Sequence, residues 1–335
     1  MTDNSHSLDV FGVGNALVDI LAFVPEDFIE KHSLDRGVMT LMDPEKQGHI
    51  LHDLEGTSLE LRSGGSAANT MIAIAQSGGT GHYTSKVAAD ANGELYREDL
   101  LDNGISFDVK PASLTNGPTG TCVVLTTPDA ERTMCTNLGV STTLTPNDID
   151  VDQLKRCQYS YVEGYLWDAP GPRQACVETM EQSKRHGVKV SFTFSDPFLL
   201  HRFSDDFRDL VKQYCDVVFC NADEARDFFG LDSIEECAEK LGKMVDLAFM
   251  TNSEKGCLVI ANQQITPVAG FPVKAIDTVG AGDAFAGGVL FGLTHGYNPM
   301  QAARWGNYLG SAIVGIHGAR LQQVPVDRIE SIIKS

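Results

Sequence analysis

The chain has no uninterrupted apolar stretch long enough to cross a bilayer, which argues against a transmembrane helix. It also lacks a basic excess: 26 Lys and Arg stand against 45 Asp and Glu, a formal net charge of −19. A nucleic-acid surface needs a basic stripe, so neither DNA nor RNA is an expected partner. A nucleotide substrate is still allowed, because one local anion site with bound Mg²⁺ is enough to hold it. The eight cysteines (Cys122, Cys135, Cys157, Cys176, Cys215, Cys220, Cys237, Cys257) include no CxxC pair, and no His pair has HExxH spacing. That scatter argues against a disulfide framework or a zinc site and predicts reduced, mostly buried thiols. The stretch Met1 to Asp9 is polar, without the apolar core of a signal peptide. The expectation is a cytoplasmic globular protein with no membrane partner.

With 335 residues and 42% apolar composition, the chain can bury one large core and carry a smaller appendage. Short strands are predicted at Val10–Gly14, within Asn15–Val24, and at Val38–Met42, Ser106–Lys110, Gly120–Thr126 and Arg132–Asn137. A tight Pro128-Asp129-Ala130 turn joins the last two. Ser66–Gln76 reads as a small-residue helix with Ser66 as N-cap and Gly78-Gly79 as its stop. From about Pro146 the texture alternates. Strands fall at Tyr159–Glu163, Val188–Phe194, Val217–Cys220, Leu247–Thr251 and Cys257–Ile260. Helices fall at Gly171–His186, Ser204–Gln213, Ala222–Phe229 and Ser233–Met244. Strands spaced by helices predict an α/β body with a parallel sheet covered on both faces, and the early strands form a small β lid.

Several phosphate and nucleophile motifs are missing. Gly12-Val13-Gly14 follows a strand, but position 17 is Leu, so GxGxxG fails. Gly242-Lys243 lacks the rest of a Walker A loop, Asp227-Phe228-Phe229-Gly230 is not DFG, and Gly65-Ser66-Ala67 is not a nucleophile elbow.

What is present is Asp277-Thr278-Val279-Gly280-Ala281-Gly282-Asp283, followed by the helix-compatible run Ala284-Phe285-Ala286-Gly287-Gly288-Val289-Leu290. A Gly-rich turn at a helix start leaves N–H groups unpaired at the positive end of the helix dipole, which is an anion site. A carboxylate there does not help bind phosphate. Asp283 is better explained as the acceptor of a proton from a hydroxyl attacking phosphorus. Three further pieces accompany it: Gly14-Asn15-Ala16-Leu17-Val18-Asp19, Ser63-Gly64-Gly65-Ser66-Ala67-Ala68-Asn69 and Asn221-Ala222-Asp223-Glu224. Singly, each has a plain reading. Asp19 caps a turn, Gly64-Gly65 enter a helix, and Asn221 with Glu224 forms a capping box.

In this order and spacing the four pieces resemble the PfkB/ribokinase family of small-molecule kinases, from about Val10 to Gly318. The resemblance implies a ribokinase-like α/β fold: a Rossmann-like body with helices on both faces plus a β-sheet lid. The whole of 1–335 then reads as one kinase chain, with the lid from about 15–45 and 106–137. It implies transfer of the γ-phosphoryl of ATP to a hydroxymethyl group. Asp283 matches the catalytic base, and Gly280, Ala281 and Gly282 match the anion hole. Asp19, Gly64, Gly65 and Asn69 match positions that hydrogen-bond sugar hydroxyls. Asn221 and Glu224 match the motif that organises Mg²⁺ and its waters. Thr251, Ser253 and Gly256 resemble the nucleotide loop, and Asn307 and Gly318 lie where the family closes around adenine. Asp277 matches a position that binds a monovalent cation, K⁺, in some members. The resemblance allows a monomer or a homodimer.

Within the family the chain is most similar to the adenosine kinase branch, through Thr119-Gly120-Thr121-Cys122, Glu131 to Leu138, Glu163-Gly164-Tyr165-Leu166 and Ser195-Asp196-Pro197-Phe198. That implies adenosine as acceptor, with Tyr165 and Phe198 flanking its base and Arg132 reaching from the lid to the transferred phosphoryl. Tyr165, Trp167 and Phe198 also read as ordinary core or surface aromatics, and Arg132 as a solvated hairpin charge. Trp167 suits a bare sugar, so a fructokinase- or ribokinase-like sugar kinase is the alternative. A phosphorylated sugar is disfavoured, because the sugar-side motifs carry no extra basic residues. A non-catalytic sugar or nucleoside sensor on the same fold is the rival from another class.

Overall fold

In the computed structural model, which describes residues 7–129 and 131–334, the chain builds two sheets. The larger has nine strands in the spatial order Gln264–Val268, Cys257–Ala261, Leu247–Thr251, Val217–Asn221, Lys189–Thr193, Cys157–Glu163, Leu8–Val13, Gly81–Thr84 and Ile105–Ser106. From Leu247–Thr251 to Ile105–Ser106 the pairing is parallel, and Cys257–Ala261 and Gln264–Val268 add an antiparallel edge. The expectation of a parallel sheet therefore needs that correction at one edge, where a short turn lets the chain return without a crossover helix.

Side-chain alternation along the strands feeds two cores. Phe11, Val162, Phe192, Val218 and Met250 face one, under helices Pro170–His186, Pro197–Tyr214, Ala222–Phe229 and Ile234–Gly242. Val10, Tyr161, Phe219 and Phe249 face the other, under helices Ser66–Gln76, Ala281–Thr294 and Pro299–Val314. The sequence reading starts the Pro197 helix too late, at Ser204. The reason is a kink at Phe203 (φ −134°, ψ 19°), whose second half alone carries a clean apolar stripe.

The second sheet runs Met39–Leu41, Arg132–Gly139, Thr119–Thr126, Leu17–Phe23 and Glu60–Gly64. One face buries Ile20, Val123, Leu125 and Cys135 against Ile29 and Ile50 of two short helices and against Leu54, which caps the second. The other turns Leu21, Met39, Val124 and Met134 toward a cavity between the sheets. The bounds read from sequence shift accordingly. Glu60–Gly64 joins the lid, while the residues read as a strand at Ser106–Lys110 contribute only Ser106, paired with the large sheet. Ala130 of the Pro128-Asp129-Ala130 turn and Met1–His6 of the polar stretch lie outside the described residues.

Two helices meet where chemistry is expected. A Cβ on Gly287 would fall 2.6 Å from Ala73 Cβ and 2.7 Å from Thr70 O, so only glycine lets Ala281–Thr294 lie against Ser66–Gln76. That approach aligns the two helix N-termini and places Ser66 and Asn69 beside Asp283. Ser66 is not the N-cap. Gly65 holds that position at φ 96°, and the Ser66 hydroxyl is free to donate elsewhere.

Candidate active site

A cavity of about 820 Å³ opens at the carboxyl ends of the large sheet, beneath the lid. Clefts of open α/β sheets lie at this edge because strand ends and helix N-termini converge there. Asp19, Gly65, Asn69, Arg132, Tyr165, Phe198, Asn221, Glu224, Gly280, Gly282, Asp283 and Gly318 all line it. Gly64, Ala281, Thr251, Ser253, Gly256, Asp277 and Asn307 do not.

Asp283 stands in the first turn of Ala281–Thr294. Its Oδ1 accepts from Ser66 Oγ at 2.7 Å and its Oδ2 from Asn69 Nδ2 at 3.0 Å. Burial raises its pKa, while these two hydrogen bonds and the Arg320 charge lower it. A carboxylate held this way keeps lone pairs free toward the cavity and can take a proton from a hydroxyl.

The phosphoryl side is built on the same helix start. Gly280 is the N-cap at φ 78°. The Ala281 amide donates to Thr278 O at 3.2 Å, so Ala281 closes the turn and is not itself an anion donor. The amides of Gly282 and Asp283 are left at the helix end for an anion. Asp277 braces this loop. It accepts from Val279 N at 3.1 Å and Gly318 N at 2.8 Å, and pairs with Arg132 at 2.6 Å. A cation site needs acceptors turned toward it, and Asp277 is ringed by three donors. The expectation of a monovalent cation on this side chain does not fit. Arg132 is likewise neither free nor solvated, since it ties the lid to the phosphate loop.

Asn221 and Glu224 make a reciprocal capping box: Glu224 N donates to Asn221 Oδ1 at 2.8 Å, and Glu224 accepts from Asn221 N at 3.0 Å. Both readings of this pair are compatible, because the box also faces the cavity. Burial, followed by the charges of Asp196, Asp223 and Asp283, pushes Glu224 up to about 7. No Lys or Arg among the described residues pairs with it. A buried carboxylate without a basic partner suits a hydrated Mg²⁺, which takes oxygen ligands and keeps most of its waters. Thr251 lies beside Asn221 in the sheet, and Ser253–Lys255 forms a 3₁₀ turn leading to Gly256. Asn307 departs from expectation. Its buried amide donates to Val268 O and Ala269 O at 3.0 and 3.1 Å, so it supports the wall from behind and has no donor left for adenine.

On the acceptor side, the Asp19 carboxylate lies against Gly64, where a Cβ would meet it at 2.5 Å. Tyr165 and Phe198 are 6.2 Å apart at 38°. A ring between two others needs about 7 Å, twice the usual contact distance. The two therefore cannot flank a base and instead form one wall, facing the apolar underside of the lid. Tyr165 also donates to Ser195 O at 3.2 Å, which fixes the turn carrying Phe198. Trp167 points away, donating to Asp206 at 2.7 Å, so it is not a sugar platform.

Sequence reasoning missed three residues. Ser66 was assigned to a cap. Glu163, only 1% exposed, accepts from Asn15 N at 2.6 Å and Ala67 N at 2.8 Å, which joins the two acceptor loops. Its signal was a Glu closing an otherwise uncharged strand. Arg320 follows Gly318-Ala319 directly and lines the cavity.

These carboxyls make stability depend on pH in an unusual direction. Burial pushes Glu163 up to about 7 and Asp19 up to about 6. A folded acid with a raised pKa binds more protons than the unfolded chain, so its contribution falls as pH rises from its ordinary value through the folded one. For Glu163 this costs on the order of 3 kcal/mol above pH 7. His82, held below its ordinary value by burial, works the other way, and acids held low, such as Asp129 at about 2, titrate outside the window. The ligand-free protein is expected to lose stability between pH 5.5 and 7.5, and Glu163→Gln to reduce that fall, with Glu224 and Asp19 supplying the remainder. Urea midpoints across the range check it, and stability that climbs steadily with pH contradicts it.

Fold and site together define a phosphotransferase with an alcohol group as acceptor. Residues 41–326 match the family described as pfkB family carbohydrate kinase, and the chain belongs to that family. The solved structure of an adenosine kinase from Sinorhizobium meliloti superposes with a TM-score of 0.89 at 33% identity, covering 97% of this chain and 98% of that one. A probable sugar kinase from Rhizobium etli CFN 42 gives 0.90 at 31%, with the same coverage of 97% and 98%. The adenosine kinase of Saccharomyces cerevisiae is 28% identical over 323 residues, 89% of this chain and 92% of its own length. The body and lid thus form the ribokinase-like fold, and the activity is that of a sugar or nucleoside kinase. Among the described residues no helix is long and apolar enough to cross a membrane.

Proposed function

We propose that the protein transfers the γ-phosphoryl of ATP to the 5′-hydroxyl of adenosine, giving AMP and ADP. The observation that carries this is Asp283 at a helix N-terminus, held by Ser66 and Asn69 and sharing one cavity with Asp19. The acceptor hydroxyl attacks phosphorus, the bond to the bridging oxygen of ADP breaks, and the proton passes to Asp283. Transfer is late, because a carboxylate is too weak a base to ionise an alcohol first. The amides of Gly282 and Asp283 face the charge on the transferring group. Bound Mg²⁺, organised by Asn221 and Glu224, would neutralise phosphate charge.

A neutral acceptor is supported by the wall charges. Arg62, Arg132 and Arg320 are outnumbered by Asp19, Asp99, Glu163, Asp168, Asp196, Glu224 and Asp283. The apolar lid underside opposite Tyr165 and Phe198 favours a base over a bare sugar, as does the likeness to adenosine kinases. The second reading, a sugar kinase, draws on the equal likeness to the probable sugar kinase of Rhizobium etli CFN 42.

ADP release measured with ATP–Mg²⁺ and adenosine, other nucleosides, fructose or ribose tests this. The highest kcat/KM is expected with adenosine. A preference for fructose or ribose moves the assignment to a sugar kinase. Binding of ATP without turnover of any acceptor leaves the non-catalytic sensor.

A further inference from the structure

Arg320 has no part in the steps above, yet its guanidinium joins three residues around the site. Nε donates to Asn69 Oδ1 at 2.8 Å. Nη1 donates to Ser63 Oγ and to Asp99, each at 2.6 Å. Asn69 in turn gives its Nδ2 to Asp283, so the chain of contacts runs from Asp99 through Arg320 and Asn69 to the carboxylate at the helix start. The backbone leading into Arg320 is fixed from the phosphoryl side. Gly318 N donates to Asp277, and Ala319 packs against Gly280 so closely that a Cβ there would fall 2.5 Å from Ala319 Cβ.

The third nitrogen, Nη2, is buried and has no hydrogen-bond partner among the described residues. Leaving a buried donor unpaired costs stability. A guanidinium kept at that cost is placed for the geometry of its other nitrogens, as rule-breaking residues at functional sites commonly are.

We infer that Arg320 is a positioning residue that holds the Asn69 amide, and through it Asp283, in the orientation needed to receive the acceptor proton. The geometry is specific. With Oδ1 bonded to Arg320, the Asn69 amide can present only N–H groups to Asp283, and turning it over would set oxygen against carboxylate and N–H against guanidinium. Arginine is required because a fork must reach Asn69 and the Ser63–Asp99 pair at once, which a lysine ammonium on a flexible stem cannot do with the same rigidity. The inference rests on the kinase reading, since it concerns the orientation of the proposed base.

The test is steady-state kinetics of Arg320→Ala, Arg320→Gln, Arg320→Lys, Asn69→Ala and the Arg320→Ala/Asn69→Ala double variant, with the panel acceptor that the unmodified protein turns over best. Loss of one charge-assisted hydrogen bond predicts a fall in kcat of about 10- to 100-fold for Arg320→Ala, with KM for ATP within about two-fold. Arg320→Lys is expected to restore the melting temperature but not kcat. Because Arg320 acts through Asn69, the double variant is expected to lie within about three-fold of the slower single variant. If Arg320→Ala does not fold, Arg320→Gln, which keeps one donor, carries the comparison. An unchanged kcat in folded variants overturns the inference alone. So does a double variant whose loss is the product of the two single losses, or full recovery of kcat by lysine. An unmodified protein inactive with every acceptor overturns the kinase reading, and this inference with it.

Discussion

Asp283→Asn is expected to lower turnover by about 10²–10⁴-fold while leaving KM for ATP nearly unchanged. The substitution is close to isosteric. Asn69 Nδ2 can still donate to the amide oxygen at the place of Oδ2, the new amide nitrogen at the place of Oδ1 can donate to Ser66 Oγ, and the helix N-terminus keeps its free amides for phosphate. What disappears is the only function those contacts leave open to the side chain, acceptance of a proton. Stability should hold or rise slightly, because an acid that burial raises above its ordinary range is replaced by a neutral group. Stopped-assay kinetics with a melting curve on the same sample separate the two effects. Turnover within a few-fold of the unmodified protein would remove Asp283 from the role of base.

The raised pKa of Asp283 carries a second consequence for the rate. Only the ionised form accepts a proton, so the acid limb of kcat should lie above the ordinary carboxylic range of about 4. The Arg320 guanidinium opposes the shift without cancelling it, so both groups set where that limb falls.

The parts of the fold that were legible in sequence are those whose signal is local. Ala222–Phe229 and Leu247–Thr251 were read to the residue, the first because Asn221 and Glu224 announce its start, the second because a short apolar run is bounded by polar residues. Glu60–Gly64 was missed because three of its five residues are exposed, so no buried alternation marks it as a strand. The site divides in the same way. The phosphate turn could be read because glycine and a helix start lie within one heptad-length run. Ser66 and Asn69 meet Asp283 from 217 and 214 residues away, and Arg320 meets Asn69 across 251. Nothing local encodes those distances. They follow from helix packing at Gly287, which the sequence shows only as one of two adjacent glycines. Asn307 illustrates the opposite error. Its position along the chain matched a ligand contact, but whether an amide faces a ligand or a carbonyl depends on where neighbouring strands end.

Gly280→Ala and Gly282→Ala are expected to part company, although only Ala281 separates them in one motif. Gly280 sits at φ 78°, in the left-handed region, and a Cβ there would lie 2.5 Å from Ala319 Cβ and 2.6 Å from Ala319 Cα. Left-handed backbone in a non-glycine residue costs about 1–2 kcal/mol, and the clash with backbone adds an overpacking cost of about 1–3 kcal/mol. The loop cannot relax freely, because Gly318 on the far side of Ala319 is held by Asp277, which also holds Val279 and Arg132. Gly280→Ala should therefore lose stability by about 2–4 kcal/mol, and turnover by about 10²–10³-fold as the anion donors move. Gly282 has no such neighbour. Its Cβ would meet nothing within 4 Å, and its φ is not in the left-handed region. Alanine in the first turn of a helix should keep stability within about 0.5 kcal/mol. The open space is the cavity itself, however, where a methyl group would stand beside the free amides and hold a phosphoryl group off them. Gly282→Ala is thus expected to melt like the unmodified protein yet lose about ten-fold or more in kcat/KM for ATP. Denaturation midpoints and initial rates on both variants decide the matter. If Gly280→Ala is as stable as Gly282→Ala, the Ala319 contact does not hold the loop. If Gly282→Ala keeps full activity, the phosphoryl group does not bind at this helix end.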